Sequence, residues 1–407
     1  MPGRIRLGAV GAAIALVFAS CPRPPSTATA PVEPRAALPP SPVSPDATAR
    51  PAPARARWRV GTTGDYAPFS TRGADGQPQG FDIDLARAMA QDLNAELEWV
   101  SVRWPTLQDS LQAGAFDVAM SGVTWQPARG VIGFMTRAVA RGGPCVLGDA
   151  RGMPVAVNQG GVLEKWARSR WPEAALVIVD DNQSLPDLLA AGRVRAIVTD
   201  SFELRAFRRP GWSAECEPKI ARKAYWVAPG HDALARTIDG WLDNHVERVQ
   251  AAQERWFGER QPLRAIDHLS DLLARRLAFM PLVAAAKARA GLPIEDRARE
   301  RQVLDASLES ARRRGLPEAR VRDFFAVQIE LAKAVQRRTS EATALDLRGQ
   351  IRPALDELGE RIIDALAAAA RTGQLSSATL ADLEPTTPWL EPLERERLLQ
   401  ALRGSGG

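Results

Sequence analysis

Arg276 and Lys287 stand eleven residues apart, about three turns at 3.6 residues per turn, so on one continuous helix they share a face. Pro281 lies between them and is expected to kink that helix. Lysine is scarce in this chain: only Lys165, Lys219, Lys223, Lys287 and Lys333 occur, amid many arginines. A lysine brings a compact point charge where arginine brings a planar fork, so each lysine raises the question of why it is not arginine. Far upstream, the stretch RVGTTGDYAPFSTRG (Arg59–Gly73) reads as a strand that ends in a polar loop. Asp65 in that loop, and Ser121 at another strand end, are candidate polar contacts to a small molecule. Taken singly, residues of these types are mostly turns, caps or solvated charges.

Other chemistries find little support. The three histidines (His231, His245, His268) do not cluster, and neither HExxH nor CxxC occurs. A zinc site or a Ser-His-Asp relay is therefore not expected. The net charge is +5 but is scattered, with no dense basic run, which argues against nucleic acid as the partner. At 407 residues, 45% hydrophobic and 25% charged, the chain can build two or three ordinary cores.

The elements that must carry these residues divide the chain. Residues 1–20 read as a signal peptide: Arg4 and Arg6 are basic, and Leu7 to Ala19 is apolar but too short to span stably. FASC then resembles a bacterial lipobox, with Cys21 as the lipidated first residue. Residues 21–57 are rich in proline, alanine and serine and read as an extended tether. The expected location is periplasmic; a lipid anchor at Cys21 and ordinary cleavage, near TATA (Thr27 to Ala30), both stay open. Export makes a disulfide between Cys145 and Cys216 the expected pairing.

From 58 to about 260, short buried strands such as FDVAMSGV and VRAIVTD alternate with helices such as FDIDLARAMAQDL. This pattern predicts α/β layers with mostly parallel sheets and ligands outside the carboxyl ends of strands. From 263 to about 403 only helical periodicity remains, which predicts an all-α domain.

The first half resembles type II periplasmic solute-binding proteins, and more closely one enzymatic branch of that fold, the cyclohexadienyl dehydratases. The matching pieces are VGTTGDYAPFS, GFDIDLARAMAQDL, WPTL, FDVAMSGVT, VNQGGVLEKWAR, VTDSFELR and KAY, in that order. The resemblance implies that prephenate or arogenate loses carbon dioxide and water to leave an aromatic ring. Hydroxide leaves poorly, so an acid must protonate it. Glu203 of VTDSFELR matches that acid, which requires burial to raise its pKa. Arg129 and Thr124 match a carboxylate clamp, Trp104 a pocket wall and Asn158 a residue that orients acid or substrate. Leu163 departs from the family, which carries asparagine there. The alternative is an amino-acid carrier with a helical interaction domain, in which Asp200 would hold the ammonium group.

The second half resembles the exported, gamma-class chorismate mutases, through RRLAFMPLVAAAKARAGLPIED and VQIELAKAVQ. That class rearranges chorismate to prephenate without a covalent bond to the enzyme and without proton transfer. Negative charge grows on the breaking ether oxygen, and fixed cations aimed there lower the barrier. Arg276, Arg299 and Arg352 match the carboxylate-binding arginines, and Lys287 the lysine at the ether oxygen. Gln336 matches the residue on that oxygen's other side, and Asp296 one that orients an arginine and the substrate hydroxyl. Ala332 stands where some members have a hydroxyl residue.

Prephenate would be the product of one half and the substrate of the other. The expectation is a bifunctional exported enzyme with small-molecule substrates, no cofactor, no metal and no nucleic acid. A monomer and a homo-oligomer both stay open, as does the use of arogenate.

Overall fold

The computed structural model describes residues 55–149, 151, 153–171, 176–218, 221–339 and 341–404. The leader, Cys21 and nearly all of the expected tether lie outside the described residues.

Two five-stranded sheets frame the first half, with a three-stranded and a two-stranded sheet beside them. In one, β1 (Ala56–Thr62) pairs in parallel with β2 (Ala95–Ser101) and β3 (Val118–Ala119), while β4 (Phe134–Met135) and β10 (Trp226–Val227) complete it. In the other, β6 (Val155–Asn158) pairs in parallel with β7 (Leu176–Val179) and β8 (Ala196–Asp200), and β5 (Pro144–Gly148) lies between β8 and β9 (Ala214–Cys216). The pairings of β5 and β10 are antiparallel, so each sheet is mixed rather than mostly parallel.

The cause is a double crossing of the chain. It leaves the first sheet after β4, passes through Ala140–Gly142 into β5, and returns from β9 through Ala221–Lys223 to β10. The two crossing segments pair antiparallel, with Arg222 opposite Arg141. Strands that enter by crossing run against the strands laid down by strand–helix–strand units. Cys145 and Cys216 face each other on β5 and β9 and are disulfide bonded.

Local sequence accounts for the helices. In α1 (Phe81–Asp92), Phe81, Leu85, Ala86 and Met89 recur at helical spacing and are buried, and Asp82 and Asp84 sit in the first turn, where the helix dipole favours anions. Helix α2 (Val162–Arg170) flanks the second sheet, and α3 (Asp232–Asn244) and α4 (Val246–Phe257) lead out of the first half.

The second half comprises α5 (Ala265–Ala278), α6 (Met280–Arg289), α7 (Arg297–Arg313), α8 (Glu318–Arg338), α9 (Arg352–Arg371) and α10 (Pro392–Arg403). Leu269, Leu273, Phe324, Phe325, Ile362 and Leu366 lie in its single core. The helical run that contains Pro281 is divided into two helices separated by one residue, Phe279, whose backbone stays in the right-handed helical region. Pro281 sits in the first turn of α6, where its missing N–H has no intrahelical partner to lose. Among the described residues, no helix is long and apolar enough to cross a membrane.

Helix α5 is buried along most of its length because it lies between the halves. Its Asp271 pairs with Arg222 and its Asp267 with Arg141, one from each crossing segment. Arg275 donates to the carbonyls of Gly130 and Gly133, and Arg361 of α9 pairs with Asp239 of α3. Buried pairs of this kind fix geometry, since losing one partner leaves an uncompensated charge at a cost of about 3–5 kcal/mol.

Candidate active sites

A cavity opens in the α/β half, lined by Tyr66, Trp104, Arg129, Asn158, Glu203 and Lys223 among others. Glu203 follows β8 and is 1% exposed. Its two carboxyl oxygens accept from Asn182 Nδ2 at 2.5 Å and Thr199 Oγ1 at 2.6 Å. Burial pushes its pKa up to about 8, more than these hydrogen bonds pull it down. The shift favours the protonated acid near neutrality, in a cavity wall.

Arg129 lies on the short helix Pro127–Ile132. Its guanidinium donates to the Thr124 carbonyl at 2.7 Å and stacks near Trp104 and Trp226, 5.9 and 5.4 Å from the ring centres. Burial lowers its pKa to about 10, and no carboxylate of the described residues pairs with it. Such a cation suits a carboxylate ligand. Lys223 donates to Tyr66 Oη at 2.8 Å and Thr124 Oγ1 at 3.1 Å, and pairs with Asp200 at 2.8 Å.

The structure brings Trp104, Thr124, Arg129, Asn158 and Glu203 to this one cavity. Asn158 is held by the carbonyls of Val179 and Asp180, at 3.3 and 3.4 Å. Three other candidates do not line it. Ser121 is fully buried and bonds Thr63 Oγ1 at 2.8 Å, so it ties β1 to β3. Asp65 keeps one carboxyl oxygen buried without a partner and accepts from Gln183 through its backbone. Asp200 sits behind Lys223, which takes its charge.

Tyr66, Asn182 and Lys223 were not singled out from sequence. Tyr66 and Lys223 fell inside the quoted GDYAPFS and KAY stretches; Asn182 had no such signal. Gly122 also lines the cavity at φ +63°, and a Cβ there would lie 2.4 Å from the Tyr66 ring, so only glycine fits this close approach. Val162 and Leu163 add apolar side chains to the wall.

A second cavity lies in the helical half. Arg276, Lys287, Asp296, Arg299, Gln336 and Arg352 all line it, as does Ala332. Asp296 caps α7, accepting from the Arg299 backbone N–H at 3.0 Å, and accepts from Arg352 Nη2 at 3.0 Å. The backbone N–H of Arg299, helped by Arg352, holds its carboxyl below the usual range. Arg299 itself pairs with Asp356. Lys287 Nζ donates to the Ile294 carbonyl at 2.5 Å and keeps two further protons to donate; burial lowers its pKa.

Arg276 is buried, its pKa lowered by desolvation to about 10, and no carboxylate of the described residues lies within ion-pair distance. Gln336 donates to Ala332 O at 3.2 Å, while its Oε1 is buried without a partner. Glu300 and Lys333, a pair at 3.2 Å, line the cavity as well and were not foreseen. Among the described residues, no group of three or more His, Cys, Asp or Glu side chains is placed to hold a metal ion.

Comparison with known proteins divides the chain in the same region. Residues 58–259 match the bacterial extracellular solute-binding proteins, family 3, and residues 260–337 match chorismate mutase type II. The cyclohexadienyl dehydratase of Pseudomonas aeruginosa is 32% identical over 227 residues, 50% of this chain and 84% of that protein. The lysine/arginine/ornithine-binding periplasmic protein of Escherichia coli is 33% identical over 155 residues, 35% of this chain and 60% of that protein. Among solved structures, an ancestral amino acid-binding protein, a precursor of cyclohexadienyl dehydratase, is 28% identical with a TM-score of 0.46, covering 49% of this chain and 95% of that one. The chain belongs to the bacterial extracellular solute-binding proteins, family 3, in a form that carries a chorismate mutase type II domain joined behind the solute-binding unit.

Proposed function

We propose that the protein converts chorismate to prephenate in the helical cavity and prephenate to phenylpyruvate in the α/β cavity. The observation that carries this reading is that the buried carboxyl of Glu203 and the guanidinium of Arg129, which has no carboxylate partner among the described residues, line one cavity. An acid and an anion holder are what a decarboxylating dehydration needs.

In the helical cavity Arg276 and Arg352 hold the carboxylates of chorismate, and the dianion is folded into a compact chair. Lys287 and the Gln336 amide donate to the ether oxygen. The carbon–oxygen bond breaks as the new carbon–carbon bond forms, and no proton moves. Negative charge developing on that oxygen meets donors already in place, so the barrier falls more than the ground state. Arg299 completes the ring of cations, and Asp296 orients Arg352.

In the α/β cavity Arg129 and Thr124 hold a substrate carboxylate. The ring carboxylate leaves as carbon dioxide, and its electron pair enters the ring to complete the aromatic system. The ring hydroxyl leaves as water on taking the proton of Glu203, which is left as a carboxylate and regains a proton from solvent. Asn158 lies at the cavity wall to orient substrate or acid, and Trp104 closes one side. Arogenate differs at the amino group and fits the same leaving-group chemistry, which would yield phenylalanine. An amino-acid carrier needs a carboxylate free for the ammonium group, and Asp200 is already paired with Lys223.

We also read the protein as periplasmic and lipidated at Cys21. Pure chorismate fed to the protein should give phenylpyruvate, followed by its absorbance. No product from chorismate or from prephenate would overturn the reading.

A further inference from the structure

Helix α5 presents chemistry to both halves. Arg276 on it lines the helical cavity. Asp271 and Arg275 are one turn apart on another face, and both reach into the α/β half.

Asp271 pairs with Arg222 on the crossing segment Ala221–Lys223. Successive side chains of an extended segment point to opposite sides. Arg222 therefore faces α5, and the next residue, Lys223, faces the α/β cavity. Arg275 donates from Nε to Gly130 O at 2.5 Å and from Nη2 to Gly133 O at 3.2 Å. These carbonyls end the short helix that carries Arg129, and a cation there meets the negative end of the helix. The approach is close: a Cβ on Gly130 would lie 3.0 Å from the Arg275 side chain. The guanidinium also sits over the Phe134 ring, 4.3 Å from its centre.

One turn of a mutase-half helix thus holds the backbone next to each of the two cations lining the α/β cavity. We propose that Asp271 and Arg275 are positioning residues for the α/β site, placing Lys223 and Arg129 for a substrate with two carboxylates. Neither touches substrate. The helical half is then a structural part of the dehydratase as well as a separate catalyst. This rests on reading the α/β cavity as the prephenate site.

The test uses the full chain. Arg275→Met and Asp271→Asn are each assayed with prephenate and, separately, with chorismate. A small displacement of a binding group costs on the order of tenfold or more, so KM for prephenate should rise about tenfold in each variant. The kcat and KM for chorismate should stay within about twofold, since neither residue lines the mutase cavity. A purely structural role would instead lower the folded fraction: maximal rates would fall for both substrates with neither KM moving. Arg275→Lys, which keeps the charge and the reach to one carbonyl, should recover part of the KM. If Arg275→Met or Asp271→Asn fails to fold, Gly130→Ala displaces Arg275 from the other side, and the same rise in KM is expected.

An unchanged KM for prephenate in these variants overturns the proposal, as does an equal rise in KM for chorismate. If the unsubstituted protein turns over no prephenate, the functional reading fails separately. The Kd for prephenate, by titration calorimetry, then replaces KM, and the same weakening is expected.

Discussion

Arg275 and Arg276 are consecutive in one helix, yet Arg275 donates to carbonyls of the α/β half while Arg276 lines the helical cavity. Neighbouring helical residues point about 100° apart, so one helix can serve two sites without sharing a side chain. The lining residues of the two cavities are distinct sets.

Separate linings predict separable activities. Lys287→Ala should cut chorismate kcat and kcat/KM by at least about 10²-fold, comparable to removing one oxyanion donor. Prephenate turnover by this variant should be near normal, measured by phenylpyruvate formation. Loss of both activities with an intact circular dichroism spectrum would contradict the two-site reading.

Glu203→Gln keeps the shape and the hydrogen-bonding reach but has no acidic proton. Prephenate turnover should fall on the order of 10²–10⁴-fold, the usual worth of a general acid. Fed chorismate, this variant should accumulate prephenate. Mixing it with Lys287→Ala should restore phenylpyruvate from chorismate, because prephenate diffuses between molecules.

The pH dependence has a definite sign. Burial raises the Glu203 pKa to about 8, so the acid form persists through neutrality and is lost as pH rises past that value. The kcat for prephenate should therefore fall above about pH 8. Gln336 does not titrate, so no matching fall should come from that position in the mutase. A prephenate profile flat to pH 10 would remove Glu203 from the role.

The Cys145–Cys216 bond closes a loop with a sequence separation of 71. Replacing both cysteines by alanine should cost about 2–5 kcal/mol and lower the Tm accordingly. The loss should be the same with or without reductant, whereas the unsubstituted protein should drop only when reduced.

The mature protein should begin at Cys21, with a mass increased by the attached lipid. Mass spectrometry of membrane-extracted protein checks this; an N-terminus at any other residue would exclude the anchor.

Much of this was legible in the sequence because strand and helix periodicities change near residue 260 and because the motifs occur in order. The six polar residues named for the helical half all line one cavity, together with Glu300, Lys333 and Asp356, which were not named as site residues. The α/β cavity was read less well. Sequence marks residues near strand ends, but the strand pleat decides which of them point inward. Ser121 faces Thr63 rather than the cavity, and Lys223 takes the place that Asp200 was expected to fill. Asn182 reaches Glu203 only through folding of a separate loop, which no spacing announces. The mixed sheets were missed because crossing strands look like any other short apolar run. The interruption expected at Pro281 falls at Phe279, because the proline takes a first-turn position of the second helix.

The crossing segments have a consequence for motion. Periplasmic binding proteins commonly swing their lobes about hinges to trap a ligand. Here each crossing segment carries an arginine, Arg141 or Arg222, pinned to an aspartate of α5. Swinging one lobe would twist both segments at once and would have to carry α5 along or tear two ion pairs apart. Through these two pairs, any change in the angle between the lobes is tied to the position of a helix that also lines the helical cavity.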